Sequence, residues 1–261
     1  MAHHVVEGSG KGRHLLVFES KEPMWAYMVG RFRELSDEAI GEAGRFSAAL
    51  SGGKTPEGLY LEIARKGQDM AWKSTHIFLV DERFVPFSDE RSNFGMIRRT
   101  LLDRVPIPGA NAHPIETERA DPPASAREYE AALRGFFASA EGNIPKFDMI
   151  LLGLGEDGHT ASLFPGLADG CAEKQLVRGV EAAGERVARI TLTLPVINRG
   201  RTVFFLVTGK GKAEIVRRVV REREPGLPAS LVEPEGGALF FVCDRDAASL
   251  LEEGAGKART A

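Results

Sequence analysis

Three groups of residues in this chain have types and spacings suited to chemistry. The first lies in "LLGLGEDGHTASLFPG", where Asp157 stands two positions before His159 in a glycine-rich stretch that follows an apolar run. A neutral imidazole beside a carboxylate is a sound general base for activating water. The positive end of a helix starting beside His159 would disfavour imidazolium and keep the ring neutral at pH 7. The same stretch also fits the GxGxxG pattern of a dinucleotide-binding turn. That reading is disfavoured, because the turn lies past the midpoint, Pro165 and Gly166 cut short any long helix after it, and Asp157 would place a carboxylate inside a pyrophosphate cradle. A lone histidine is more often structural, but this one is a better candidate than the other five.

The second and third groups suit an anion. In "LSGGKTP" (50–56), Ser51, Gly52, Gly53 and Thr55 lie between a strand and a helix expected to begin at Pro56. Glycines let the backbone approach a ligand closely, and free amides at a helix start favour phosphate. A nucleoside-triphosphate P-loop needs a further glycine where Ala48 stands, so that reading is disfavoured, while a plain tight turn stays open. In "VDERFVP" (80–86), strand alternation aims Asp81 and Arg83 the same way, an orienting carboxylate beside a cation. Arg189 opens "RITLTLP" and Lys212 follows "TGKG" at a helix start, and both could meet phosphate. Alone, each of these charges is more often a surface residue; their value lies in converging on the 51–55 loop.

Convergence demands a particular scaffold. Short apolar runs at 14–18, 45–50, 76–81, 147–153, 189–193, 202–209 and 238–244 read as strands, several of them apolar on both faces. Between them, Trp25, Met28, Val29, Phe32 and Leu35 recur at helical spacing. So do Phe94, Ile97, Leu101 and Val105, then Tyr129, Leu133, Phe136 and Phe137, and then Ile215, Val216, Val219 and Val220. Strands alternating with helices predict a single α/β domain with a mostly parallel open sheet and helices on both faces. Residues 1–13 and 251–261 are expected to be tails around a catalytic domain at 14–250, with 118–125 a long surface loop. Ligands of such sheets gather beyond the carboxyl ends of the strands. One rim should therefore carry 51–56, 81–86, 153–159 and 209–212.

Composition removes other classes. With 261 residues, 43% hydrophobic and 27% charged, the chain can bury a large core. A net charge of −3 offers no general attraction to nucleic acid or to an anionic membrane. The start has no apolar signal segment, and no apolar run is long enough to span a bilayer. Cys171 and Cys243 lie outside any CxxC spacing and read as two packing thiols of a reduced, cytoplasmic protein. His3 and His4 alone make a poor metal site. Nothing in the sequence specifies an oligomeric state.

"LSGGKTP", "DERFVPFSDERSNFGMIRRTLLDRVPIP", "LLGLGEDGHTASLFPG", "RITLTLPVINRGRTVFFLVTGKGKAE" and "LPASLV" together resemble the bacterial-type 6-phosphogluconolactonases, in family order from about residue 15 to 244. The resemblance implies the glucosamine-6-phosphate deaminase-like fold. It also implies hydrolysis of 6-phospho-D-glucono-1,5-lactone to 6-phosphogluconate in the oxidative pentose phosphate pathway, without metal or organic cofactor. By that resemblance His159 is the base, and Asp157 and Asp81 arrange the site. Ser51, Gly52, Gly53, Thr55, Arg189 and Lys212 hold the substrate phosphate, with Arg83 near the substrate. The sister glucosamine-6-phosphate deaminases carry a glutamate five residues after the histidine, and here that position is Phe164, which cannot relay a proton. A noncatalytic sugar-phosphate sensor on the same fold is the third reading. Retention of both Asp157 and His159 speaks against it.

Overall fold

The apolar runs form strands that are buried from both sides. The computed structural model describes residues 5–7, 12–118, 121–138, 143–166, 175–184 and 186–252. In chain order the strands are β1 Val5–Glu7, β2 Arg13–Phe18, β3 Phe46–Leu50, β4 Thr75–Leu79, β5 Asp81–Arg83, β6 Ala112–His113, β7 Met149–Leu152, β8 Val177–Val180, β9 Arg189–Leu192, β10 Thr202–Val207 and β11 Ala238–Asp244. The helices are α1 Lys21–Ala43, α2 Lys54–Lys66, α3 Asn93–Thr100, α4 Pro122–Phe136, α5 Leu194–Ile197, α6 Ala213–Val216 and α7 Arg245–Glu252.

Eight strands form one sheet in the order β1-β2-β11-β10-β7-β3-β4-β6. All its neighbours pair in parallel except β1, which lies antiparallel to β2 at one edge. Every residue of β3, β7 and β10 is buried, as strands covered on both faces require. Phe205 stacks on Phe241 across β10 and β11, with ring centroids 4.9 Å apart. Each such side chain withdrawn from water contributes roughly 1.5–3 kcal/mol. The strands β10, β7, β3 and β4 are consecutive neighbours running the same way, so the segments that follow them emerge at one end of the sheet.

Six expectations change. The segment 189–193 does not join the parallel sheet: β9 lies in a small antiparallel sheet of order β5-β9-β8. The run at 76–81 is accordingly cut between two sheets at Val80, whose N–H donates to Leu50 O in the large sheet while its carbonyl accepts from Leu192 N beside the small one. Helix α2 starts at Lys54 rather than Pro56, because Gly53 at φ 116° turns the chain two residues earlier. Half of the loop expected at 118–125 is helical: the Asp121 side chain accepts from Ala124 N and Pro122 opens α4. Within the expected tail at 1–13, Val5–Glu7 pairs with β2, and Arg13 belongs to β2 itself. Helix α3 also ends at Thr100, with a 3-10 turn at Leu102–Arg104 completing the apolar face expected to run to Val105.

Cys243 is buried, and burial pushes its thiol pKa up, as for an inert packing residue. Cys171, His3 and His4 lie outside the described residues. Among the described residues no helix is long and apolar enough to cross a membrane.

Candidate active site

The four loops enclose one cavity of about 300 Å³ beyond the carboxyl ends of β3, β4, β7 and β10. Ser51, Gly52, Gly53 and Thr55 line one side, Asp81 and Arg83 another, and His159, Arg189 and Lys212 complete it. Asp157 reaches the site through its contact with His159.

The Asp157–His159 pair is built by the glycines around it. Gly155 N donates to His159 O at 2.9 Å and Gly158 N to Gly155 O at 3.1 Å, closing a tight turn. Gly158 has φ +85°, and a Cβ there would meet Leu227 at 2.7 Å. A Cβ on Gly155 would lie 2.1 Å from His159 Nδ1, so the imidazole occupies the space a side chain would need. His159 Nδ1 lies 2.5 Å from Asp157 Oδ1, which also accepts from His159 N at 3.1 Å. Burial works against the Asp157 charge, but the backbone N–H and ring of His159 hold its carboxyl below the ordinary range. An ionised carboxylate only accepts hydrogen bonds, so Nδ1 carries the proton and Nε2 is the basic nitrogen. Phe164 packs on the imidazole with centroids 4.7 Å apart and is itself buried.

No helix begins beside His159. Residues 160–163 form a turn in which Thr160 and Leu163 exchange backbone hydrogen bonds, so the expected dipole does not act on the ring. Ala161 within that turn has φ +52°, a left-handed conformation costing roughly 1–2 kcal/mol outside glycine. Its neighbours hold it there: Ser162 N donates to Thr191 Oγ1 at 3.1 Å, and Thr160 Oγ1 donates to Gly153 O at 2.9 Å.

The cation wall is partly unpaired. Arg189 Nε and Arg83 Nε are buried without a hydrogen-bond partner, as is Ser51 Oγ. Burial and the neighbouring Arg83 charge lower the Arg189 pKa, with Asp81 opposing. Buried donors without partners beside two close guanidiniums suit a desolvated anion. Arg83 is steadied from outside, Nη1 donating to Arg91 O at 2.7 Å. Thr55 and Thr208 share a hydroxyl contact of 2.8 Å, and Lys212 Nζ lies 4.0 Å from Glu156 Oε1. The loop that carries Lys212 is pinned by Asp244, whose carboxylate accepts from Gly209 N at 2.9 and 3.0 Å.

The structure adds residues that the sequence alone does not single out. Asn93 lines the cavity, and its Nδ2 donates to Asp81 O at 2.9 Å and Asp81 Oδ1 at 3.3 Å. Ser162 Oγ donates to Asp81 Oδ2 at 2.6 Å. Glu82, fully buried, accepts from the backbone N–H groups of Arg83, Asn93 and Phe94 at 2.7 Å each, and from Ser92 Oγ at 3.1 Å. Burial pushes its pKa up against those hydrogen bonds. The middle residue of Asp81-Glu82-Arg83 thus ties β5 to the start of α3, while its neighbours face the cavity. The alternation of a three-residue strand predicts that split, but only the fold shows what Glu82 meets. Among the described residues no group of three or more metal-ligating side chains forms.

A family model described as "Glucosamine-6-phosphate isomerases/6-phosphogluconolactonase" matches residues 19–241. The chain is 42% identical over 212 residues to the 6-phosphogluconolactonase of Synechocystis sp., covering 80% of this chain and 86% of that protein. Its structure superposes on the 6-phosphogluconolactonase of Trypanosoma cruzi with a TM-score of 0.81 at 29% identity, covering 95% of this chain and 99% of that one. A monomeric glucosamine-6-phosphate deaminase shares the fold, with a TM-score of 0.75 at 19% identity over 90% of this chain and 99% of the other. By fold and by sequence, the chain belongs to the glucosamine-6-phosphate isomerase/6-phosphogluconolactonase family.

Proposed function

We propose that this protein hydrolyses 6-phospho-D-glucono-1,5-lactone to 6-phospho-D-gluconate in the cytoplasm, as a step of the oxidative pentose phosphate pathway. The observation that carries this reading is the Asp157–His159 pair opening onto the same cavity as the unpaired donors of Arg83, Arg189 and Ser51. The cations and the 51–55 loop receive the phosphate at the remote end of the sugar. That binding energy sets the lactone carbonyl against the water held by His159 Nε2.

Nε2 takes a proton from the water as the hydroxyl oxygen bonds to C1, giving a tetrahedral oxyanion. The oxyanion collapses, the bond from C1 to the ring oxygen breaks, and the proton on Nε2 passes to the departing oxygen. The new carboxylic acid ionises at neutral pH, releasing one proton per turnover. Asp157 holds the imidazole orientation and stabilises its transient charge. Asp81, held by Ser162 and Asn93, helps arrange the site. The chemistry draws only on side chains of this chain and on water.

The sister deamination needs a proton relay at position 164. Phe164 is 5% exposed, lies against His159, and has the Arg186 guanidinium 4.1 Å above its ring, so no carboxylate serves there. A sugar-phosphate sensor needs the cation wall but has no use for an Asp157–His159 pair 2.5 Å apart.

Proton release from freshly prepared lactone, followed at constant pH with and without protein, tests the assignment. The wild type accelerates release above the spontaneous rate, and His159→Ala lowers turnover at least on the order of a hundredfold while leaving 6-phosphogluconate affinity largely intact. Near-wild-type turnover in that variant, after subtraction of the spontaneous reaction, overturns the role of His159.

A further inference from the structure

We infer that Ser162 is a positioning residue that holds the Asp81 carboxylate off Arg189 and so keeps the guanidinium open to a substrate phosphate. The inference rests on the anion-binding role proposed above for Arg189.

The geometry centres on one atom. Asp81 Oδ2 accepts from Ser162 Oγ at 2.6 Å, and the same oxygen lies 4.0 Å from Arg189 Nη1. Asp81 is 5% exposed and Ser162 is fully buried, so this hydrogen bond is largely shielded from water. The other oxygen, Oδ1, is held by Asn93 Nδ2 at 3.3 Å. Both carboxylate oxygens therefore have neutral donors, and the ion pair with Arg189 stays beyond hydrogen-bond distance. Arg189 keeps a buried Nε with no partner. A closed Asp81–Arg189 pair would instead place a competing carboxylate on the cation that the substrate needs.

Ser162 is itself held from behind, its N–H donating to Thr191 Oγ1 at 3.1 Å on β9, two residues beyond Arg189. It also lies three residues after His159, so one turn carries the catalytic imidazole and sets the cation wall. Removing the hydroxyl leaves a buried carboxylate oxygen without its donor, and that state is costly. The nearest cation is Arg189, and the pair closes.

The test is calorimetric binding of 6-phosphogluconate, and of inorganic phosphate as the minimal anion, to wild type, Ser162→Ala, Asp81→Asn and the double variant, with thermal melts to establish folding. Ser162→Ala weakens both ligands by about tenfold or more, the scale of losing a hydrogen bond to a charged group. Ser162→Cys, near-isosteric with a weak donor, weakens them in the same direction. In the Asp81→Asn background, removal of the hydroxyl changes affinity by less than about threefold, because a neutral amide does not draw Arg189. A folded Ser162→Ala protein that binds both ligands as tightly as wild type overturns the inference, as does an equal loss in the two backgrounds. A wild type that binds phosphate but neither binds 6-phosphogluconate nor speeds lactone hydrolysis overturns the proposed function, and leaves the Ser162 comparison readable with phosphate.

Discussion

Replacing Gly155 by alanine should separate the Asp157–His159 pair from the rest of the site. The added Cβ falls 2.1 Å from His159 Nδ1, 2.3 Å from His159 Cε1 and 2.6 Å from Asp157 Oδ1. Gly155 is not among the residues with positive φ, so alanine fits its backbone and the whole effect is steric. Ordinary contact begins near 3.4 Å, so the ring must retreat from 2.1 Å by more than about 1 Å. Misplacing a reacting group by that distance costs on the order of a hundredfold, or about 2.7 kcal/mol of barrier. We expect kcat for lactone hydrolysis, followed by proton release at constant pH, to fall by about that factor. The affinity for 6-phosphogluconate should change little, because the cation wall is untouched. Gly109, which does not line the cavity, has nothing within 4 Å of an added Cβ, so Gly109→Ala is a control and should turn over like the wild type. A Gly155→Ala protein that folds, binds product and turns over within about threefold of the wild type would refute the argument, since a displaced base cannot be that efficient.

The anion loop and the sheet edge offer two further tests. A Cβ on Gly52 would lie 1.8 Å from Asn93 Oδ1, and Asn93 is fixed by Asp81 and Glu82, so Gly52→Ala should weaken 6-phosphogluconate by about tenfold or more through lost contacts in the cradle. Unchanged calorimetric affinity would remove the loop from the phosphate site. At the edge of the large sheet, His76 Nδ1 lies 3.2 Å from His113 Nε2, and burial lowers the His113 pKa from 6.5 to about 4, with His76 adding to the effect. Because the folded pKa is depressed, the unfolded chain takes up the proton first, so stability is full above about pH 6.5 and is lost as pH falls from there toward 4. His113→Phe keeps the stack on Phe78, now at 4.0 Å, and should reduce the drop in urea midpoint between pH 7 and pH 5. An identical drop in both proteins would remove His113 as its cause.

Much of the site was legible because its residues sit at predictable places in a repeating architecture. A strand that is apolar on both faces must be covered on both, and a polar, glycine-rich stretch directly after it must lie at the strand's carboxyl end. Ser51 to Thr55, Asp81, Arg83, His159 and Lys212 were found by that reasoning, and all line the cavity. Arg189 was found for a different reason, a cation opening an apolar run, and it reaches the cavity from the small sheet instead. Ser162 and Asn93 were missed because their types carry no charge to mark them. Their importance lies in what they touch 81 and 12 residues away.

The sequence by itself determined that there is a parallel α/β scaffold, that its loops carry a histidine and carboxylate two residues apart and a set of cations and glycines suited to an anion, and that position 164 holds no group able to relay a proton. These follow from periodicity and residue chemistry, which are local properties. Only the tertiary structure decided how the groups are paired. The packing of Gly155 under His159, the shared grip of Ser162 and Asn93 on Asp81, and the burial of Glu82 beneath α3 all depend on strand order and on distances between segments remote in the chain. The turn after His159 shows the same limit. A helix start was a reasonable local reading, but the backbone bonds of Thr160 and Leu163, and the grip of Thr191 on Ser162, hold a left-handed bend at Ala161 that local preference disfavours.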